Sequence, residues 1–160
     1  MSRVYLGLGS NVEAEKNLRN AVSELRCRYG EIRLSRVYRN AALGFEGDEF
    51  LNLVVGFESD ESPAGILGDI AAIHAIAGRI RGPDRFRSRT LDIDLLLYGG
   101  LVDPGLRVPR PDILSYSFVL RPLAELAPRE VHPQTGRTYA AHWQEFDANS
   151  HPLTPVDVIL

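Results

Sequence analysis

The sequence predicts an α+β fold: a βαββαβ core with an antiparallel sheet, helices on one face, and a C-terminal extension. Three observations predict it. Three segments alternate apolar and polar residues with period two, and a fourth does so in part. Two segments carry apolar residues at helical spacing. Their order along the chain is β-α-β-β-α-β, the ferredoxin-like pattern. The 160 residues, 44% of them hydrophobic, suit a single domain over 1–160 that buries ~70% of its unfolded surface.

The first strand is Val4 to Gly9. Val4, Leu6 and Leu8 share a core face, and Tyr5, Gly7 and Gly9 share the other, where the glycines let something approach the backbone closely. A helix follows over Glu13 to Tyr29, with Leu18, Ala21, Val22, Leu25 and Tyr29 on one stripe and Gly30 as its stop. Ile32 to Tyr38 reads as a strand whose alternation breaks near Arg36. Residues 40–49 read as a long loop. In 50–58, Leu51, Leu53, Val55 and Phe57 face the core, opposite Phe50, Asn52, Val54 and Gly56. Ser62-Pro63 starts the second helix, which carries Ile66, Ile70, Ile73 and Ala77 and ends at Gly78. An arginine-rich loop, 79–90, leads to a last strand, 91–98. There Leu91, Ile93, Leu95 and Leu97 face the core, and Asp92, Asp94, Leu96 and Tyr98 face away. The proline-dense remainder predicts short elements, with a helix over Pro122 to Ala127. Two helices on one face leave the other face of the sheet to loops, ligands or this later segment.

No apolar run approaches the ~20 residues of a membrane span, and the N-terminus lacks the features of a signal peptide. A single cysteine, Cys27, excludes intrachain disulfides and thiolate metal clusters. A cytoplasmic protein that binds neither membrane nor nucleic acid is expected. The net charge is −3, against the basic excess a general nucleic-acid binder needs. The basic residues are 17 arginines and Lys16, and Arg79, Arg81, Arg85, Arg87 and Arg89 crowd one loop. Such a local cluster on an acidic chain suits a small polyanion, because the guanidinium fork grips phosphate oxygens in pairs.

Asp92 and Asp94 carry the strongest chemical signal. Two apart on a strand, they project from one side, ~7 Å apart at the backbone. They can converge on Mg²⁺, which binds one or two carboxylates together with water and substrate phosphates. The alternative is a pair of solvated or arginine-paired acids. A phosphate-bearing ligand explains both the arginines and the acids, and Arg79 and Arg89, at the two ends of the loop, are favoured as functional. Phe50 and Asn52 share a face and could stack on and hydrogen-bond a flat heterocycle, or simply fill a half-buried strand position. Phe118 is open to the same two readings. The G-x-G of Gly7 to Gly9 lacks the third glycine of a dinucleotide fingerprint, and His132, His142 and His151 lack metal-site spacing.

The run Arg89 to Gly99 (RTLDIDLLLYG) resembles the signature of the 6-hydroxymethyl-7,8-dihydropterin pyrophosphokinases of folate biosynthesis. Leu6 to Asn11 (LGLGSN), Phe50-Leu51-Asn52, Val108-Pro109 and Phe118 to Pro128 (FVLRPLAELAP) agree in order, over about residues 4 to 140. The resemblance implies a ferredoxin-like fold and a transfer of pyrophosphate from ATP, the co-substrate, to the pterin hydroxymethyl oxygen. It implies two Mg²⁺ ions on Asp92 and Asp94, and catalytic roles for those two residues with Arg79 and Arg89. ATP would be held by Arg79, Arg81, Arg89 and Arg110. The pterin would lie between Phe50 and Phe118, with Asn52 and groups of Asn40, Ala41 and Leu43 reading its edge. A monomer is expected.

Arg110 stands where the family usually has histidine, Phe86 where it often has tryptophan, and Ala71, His74 and Tyr116 at positions that commonly differ. The competing readings are a diverged paralogue with weak or regulatory activity and a ferredoxin-like RNA-binding module.

Overall fold

A computed structural model describes residues 1–41, 49–78 and 91–160. The chain runs β1 (Ser2–Ser10), α1 (Ala14–Tyr29), β2 (Arg33–Leu34), β3 (Val37–Asn40), β4 (Phe50–Ser59), α2 (Pro63–Ile76), β5 (Asp92–Tyr98), α3 (Asp112–Ser115), α4 (Ser117–Leu126), α5 (Tyr139–Glu145) and β6 (Thr154–Val156). Among the described residues the strands form one antiparallel sheet in the order β5-β1-β4-β3-β6, with β2 also paired to β4. Through β5 this is the expected βαββαβ order. The expected arginine loop, 79–90, lies outside the described residues, as does Leu43.

Alternation sorts the sheet into two faces. Val4, Leu6, Leu8, Leu53, Val55, Phe57, Ile93 and Leu95 bury one face under α1 and α2, through Leu18, Ala21, Val22, Leu25, Ile66, Ile70 and Ile73. The Ser62 hydroxyl caps α2, accepting the Gly65 N–H at 3.1 Å. The later segment then covers part of the second face. Tyr5, Val54, Leu96 and Leu97 pack there against Ile113, Leu120, Leu123 and Tyr139.

Three expectations need correction. Leu97 was expected on the first face and Tyr98 on the second. The β1–β5 register shifts between Tyr5 and Leu6, so Leu97 sits opposite Tyr5 on the second face and Tyr98 packs on the first. An extra residue in one strand reverses every side chain beyond it. The helix expected over Pro122 to Ala127 begins earlier, at Ser117, and keeps Pro122 inside it. Its apolar face supplies the burial that offsets the missing proline N–H. The strand expected over Ile32 to Tyr38 is two strands. At the break, Ser35 N–H donates to the Val54 carbonyl (2.9 Å) and Ser35 Oγ accepts the Val54 N–H (2.9 Å), so both backbone groups of Val54 stay satisfied. The C-terminal β6, unforeseen, pairs with β3.

Among the described residues no helix is long and apolar enough to cross a membrane.

Candidate active site

On the second face, beyond the part that α4 covers, cross-strand register lines up polar residues. Asp92 of β5 sits opposite Gly9 of β1, Gly9 opposite Asn52 of β4, and Asn52 opposite Tyr38 of β3. In the next row of that face, Asp94 sits opposite Gly7, and Gly7 opposite Val54. With ~4.8 Å between neighbouring strands, Asp92 and Asn52 stand about 10 Å apart at the backbone. Gly9 leaves the strip between them bare. A Cβ there would come within 2.6 Å of Asn52 Oδ1, so this glycine is what lets the amide lie over the strand.

Asn52 is buried and donates through Nδ2 to Asn40 Oδ1, and Asn40 Nδ2 donates to the Ala41 carbonyl at 3.0 Å. Asn40 is therefore the last residue of β3 and not part of a loop, and its amide is coupled to that of Asn52. Phe50 opens β4 on the same face, opposite Asn40. Phe118 lies in the first turn of α4, its ring stacked on Tyr116 at 5.0 Å with His151 behind at 6.3 Å. The structure thus groups Asn40, Ala41, Phe50 and Asn52 at one end of the strip and Asp92 with Asp94 at the other.

Arg110 joins the acidic end. Its guanidinium lies 3.4 Å from Asp94 Oδ1 and 3.3 Å from Asp112 Oδ2. Its backbone N–H donates to the Leu96 carbonyl (2.9 Å), which fastens it to the outer edge of β5. The same edge is held from the helix side, where the Ile93 N–H, between the two aspartates, donates to His74 Nε2 at 2.9 Å. His74 of α2, one of the departures from the family pattern, is thus a support for the carboxylate strand. The His74 contact carried no sequence signal, since it joins α2 to β5, and Asp112, two residues from Arg110, gains its place only because Arg110 reaches Asp94 of β5. Arg79, Arg81 and Arg89 lie outside the described residues.

Two adjacent carboxylates are hard oxygen donors, and among the described residues no group of three or more His, Cys, Asp or Glu could hold a metal. That donor set fits Mg²⁺, which takes few protein ligands and completes its shell with water and phosphate oxygens. It does not fit zinc, which needs three or four.

Comparison with known proteins adds an independent finding. Residues 5–128 match the family model of 7,8-dihydro-6-hydroxymethylpterin-pyrophosphokinase (HPPK). The chain is 36% identical over 156 residues to a 2-amino-4-hydroxy-6-hydroxymethyldihydropteridine pyrophosphokinase of Synechocystis sp., covering 94% of this chain and 80% of that one. It is 37% identical over 142 residues to the protein of the same name from Porphyromonas gingivalis, covering 84% and 96%. Among solved structures, the Plasmodium falciparum HPPK-DHPS superposes with a TM-score of 0.69 at 14% identity, over 91% of this chain. This chain spans 43% of that longer one, and at such identity the likeness concerns the fold.

Proposed function

The chain belongs to the 7,8-dihydro-6-hydroxymethylpterin-pyrophosphokinase family, and from that premise we propose how its residues divide the work. The enzyme transfers pyrophosphate from ATP to the hydroxymethyl group of 6-hydroxymethyl-7,8-dihydropterin, a step of folate biosynthesis. The hydroxymethyl oxygen forms a bond to the β-phosphorus, and the oxygen between the α- and β-phosphorus leaves with AMP. The hydroxyl proton goes to solvent.

The observation that carries the assignment of residues is the row Asp92–Gly9–Asn52. It sets a cation-binding end about 10 Å from an amide-lined end, with a bare strand between. Asp92 and Asp94 hold two Mg²⁺ ions, which when bound neutralise the phosphates and polarise the reacting phosphorus. Arg110, fixed beside Asp94, reaches the same phosphate oxygens. At the other end the coupled amides of Asn40 and Asn52 and the backbone at Ala41 read the pterin edge, while Phe50 and Phe118 stack on its faces. Leu43, Arg79, Arg81 and Arg89 complete the pterin and nucleotide contacts by resemblance to the family. Positioning dominates phosphoryl transfer, so no nucleophilic side chain is required.

The test is Asp92→Ala and Asp94→Ala, assayed for AMP release and for Mg²⁺-dependent binding of a non-hydrolysable ATP analogue by calorimetry. Turnover should fall about a thousandfold or more, in keeping with several kcal/mol lost from charge stabilisation. Far-UV circular dichroism and pterin binding should survive. Turnover within tenfold of wild type in either variant would overturn the metal assignment.

A further inference from the structure

Past Asn52, where the row reaches Tyr38, β3, α4, α5 and the break before β3 bring cations and aromatic rings together. Arg36 lies in the break between β2 and β3, Tyr38 in β3, Arg121 and Glu125 in α4, and Trp143 in α5. They line a cavity of about 390 Å³. That volume falls within the ~300–1,000 Å³ of small-molecule sites. Arg121 is its centrepiece. The guanidinium carbon stands 4.8 Å from the Tyr38 ring centroid and 5.8 Å from that of Trp143. A guanidinium carries five N–H donors, and attraction to a ring π-face uses up none of them, so they remain to meet a ligand.

The charges there are not balanced from within. Among the described residues neither Arg36 nor Arg121 forms a salt bridge. Glu125 is the carboxylate at hand, and both its oxygens are engaged. Oε1 accepts from the Tyr38 hydroxyl (2.6 Å) and Oε2 from the Arg36 backbone N–H (2.7 Å). Two guanidiniums thus share an aromatic-walled cavity with one committed acid.

We propose that this cavity is a second ligand site, distinct from the transfer site, for a small molecule bearing a carboxylate or phosphate. Arg121 holds the oxyanion edge-on through paired N–H groups, Arg36 supplies the second cation, and the rings flank the rest of the ligand.

Trp143 is the only tryptophan of the chain, so its fluorescence reports on this wall. The full chain is titrated with inorganic phosphate and, separately, with benzoate, each at constant ionic strength set by sodium chloride. A saturable change with either probe supports the site, and the responding probe tells whether phosphate, carboxylate or both are taken. The dissociation constant should rise about tenfold or more in Arg36→Gln and Arg121→Gln. Arg121→Lys should restore little, since it keeps the charge but not the fork. Asp94→Ala should leave the titration unchanged, which separates this site from the metal-dependent one. Should Arg121→Gln unfold by circular dichroism, the exposed Arg36→Gln carries the same test. A linear response, one reproduced by chloride alone, one lost in Asp94→Ala, or one unchanged in the folded arginine variants would overturn the proposal.

Discussion

Gly9→Ala isolates the geometry on which the transfer site rests. The new methyl would stand 2.6 Å from Asn52 Oδ1, well inside the roughly 3.5 Å of ordinary contact, with the Leu51 carbonyl at 3.8 Å. Strand backbone on both sides is fixed by register, so the side that gives is the Asn52 amide. Turning it breaks the hydrogen bond to Asn40 and withdraws the group assigned to the pterin edge. One neutral hydrogen bond is worth ~0.5–1.5 kcal/mol, and overpacking adds ~1–3 kcal/mol. The variant should therefore lose about 1.5–4.5 kcal/mol of stability. The KM for the pterin should rise about 2- to 13-fold, while that for ATP holds. Gly7→Ala is the matched control. Its methyl would meet Leu96 side-chain carbons at 3.4 to 3.6 Å, an ordinary contact, so stability and both KM values should stay near wild type. Steady-state AMP release with each substrate varied, together with thermal melts, reads all of this. A pterin KM within twofold of wild type in a folded Gly9→Ala protein would refute the reasoning.

Further outcomes follow from other contacts. Arg110→Gln should raise the KM for ATP about tenfold or more, because it removes a guanidinium fixed 3.4 Å from Asp94. Its thermal stability should move little, since Asp94 is 43% exposed and such pairs are worth at most ~1 kcal/mol; an unchanged ATP KM counts against the phosphate role. Leu95→Asp should leave the protein largely unfolded in a denaturant titration, since it replaces a core side chain at 3% exposure with an unpaired charge, at a cost of several kcal/mol. Burial, with His142 second, holds His132 below the usual imidazole value, and its Nδ1 accepts the N–H groups of Gln134 and Thr135 as only an unprotonated nitrogen can. The unfolded chain takes up this proton first, so stability should be whole above about pH 6.5 and decline as pH falls below it. His132→Asn should flatten that decline, and an equally steep melting-temperature profile in the variant would exclude His132 as its source.

Much of the fold was legible because it depends on periodicity. Period two placed Val4, Leu6 and Leu8 on one face and Asp92 with Asp94 on the other, and both placements hold. Ser62-Pro63 marked the start of α2 for local reasons of capping and fixed φ. The break near Arg36 was visible as lost alternation, though what repairs it, the Ser35 hydroxyl on Val54, was not. Pro122 misled, because local preference argues against proline within a helix and the apolar contacts of α4 outweigh it.

The candidate site divides in the same way. The sequence by itself determined the acidic pair, the bare glycines, and the Phe50–Asn52 face, since each follows from the spacing of neighbours along one strand. Only the tertiary structure decided that Asp92, Gly9 and Asn52 share a row, that Arg110 pairs with Asp94, that His74 supports Ile93, and that a register shift turns Leu97 over. Those facts depend on register between strands and on contacts among residues far apart in the chain. Local patterning leaves both open, and they are settled when the two faces of the sheet are packed.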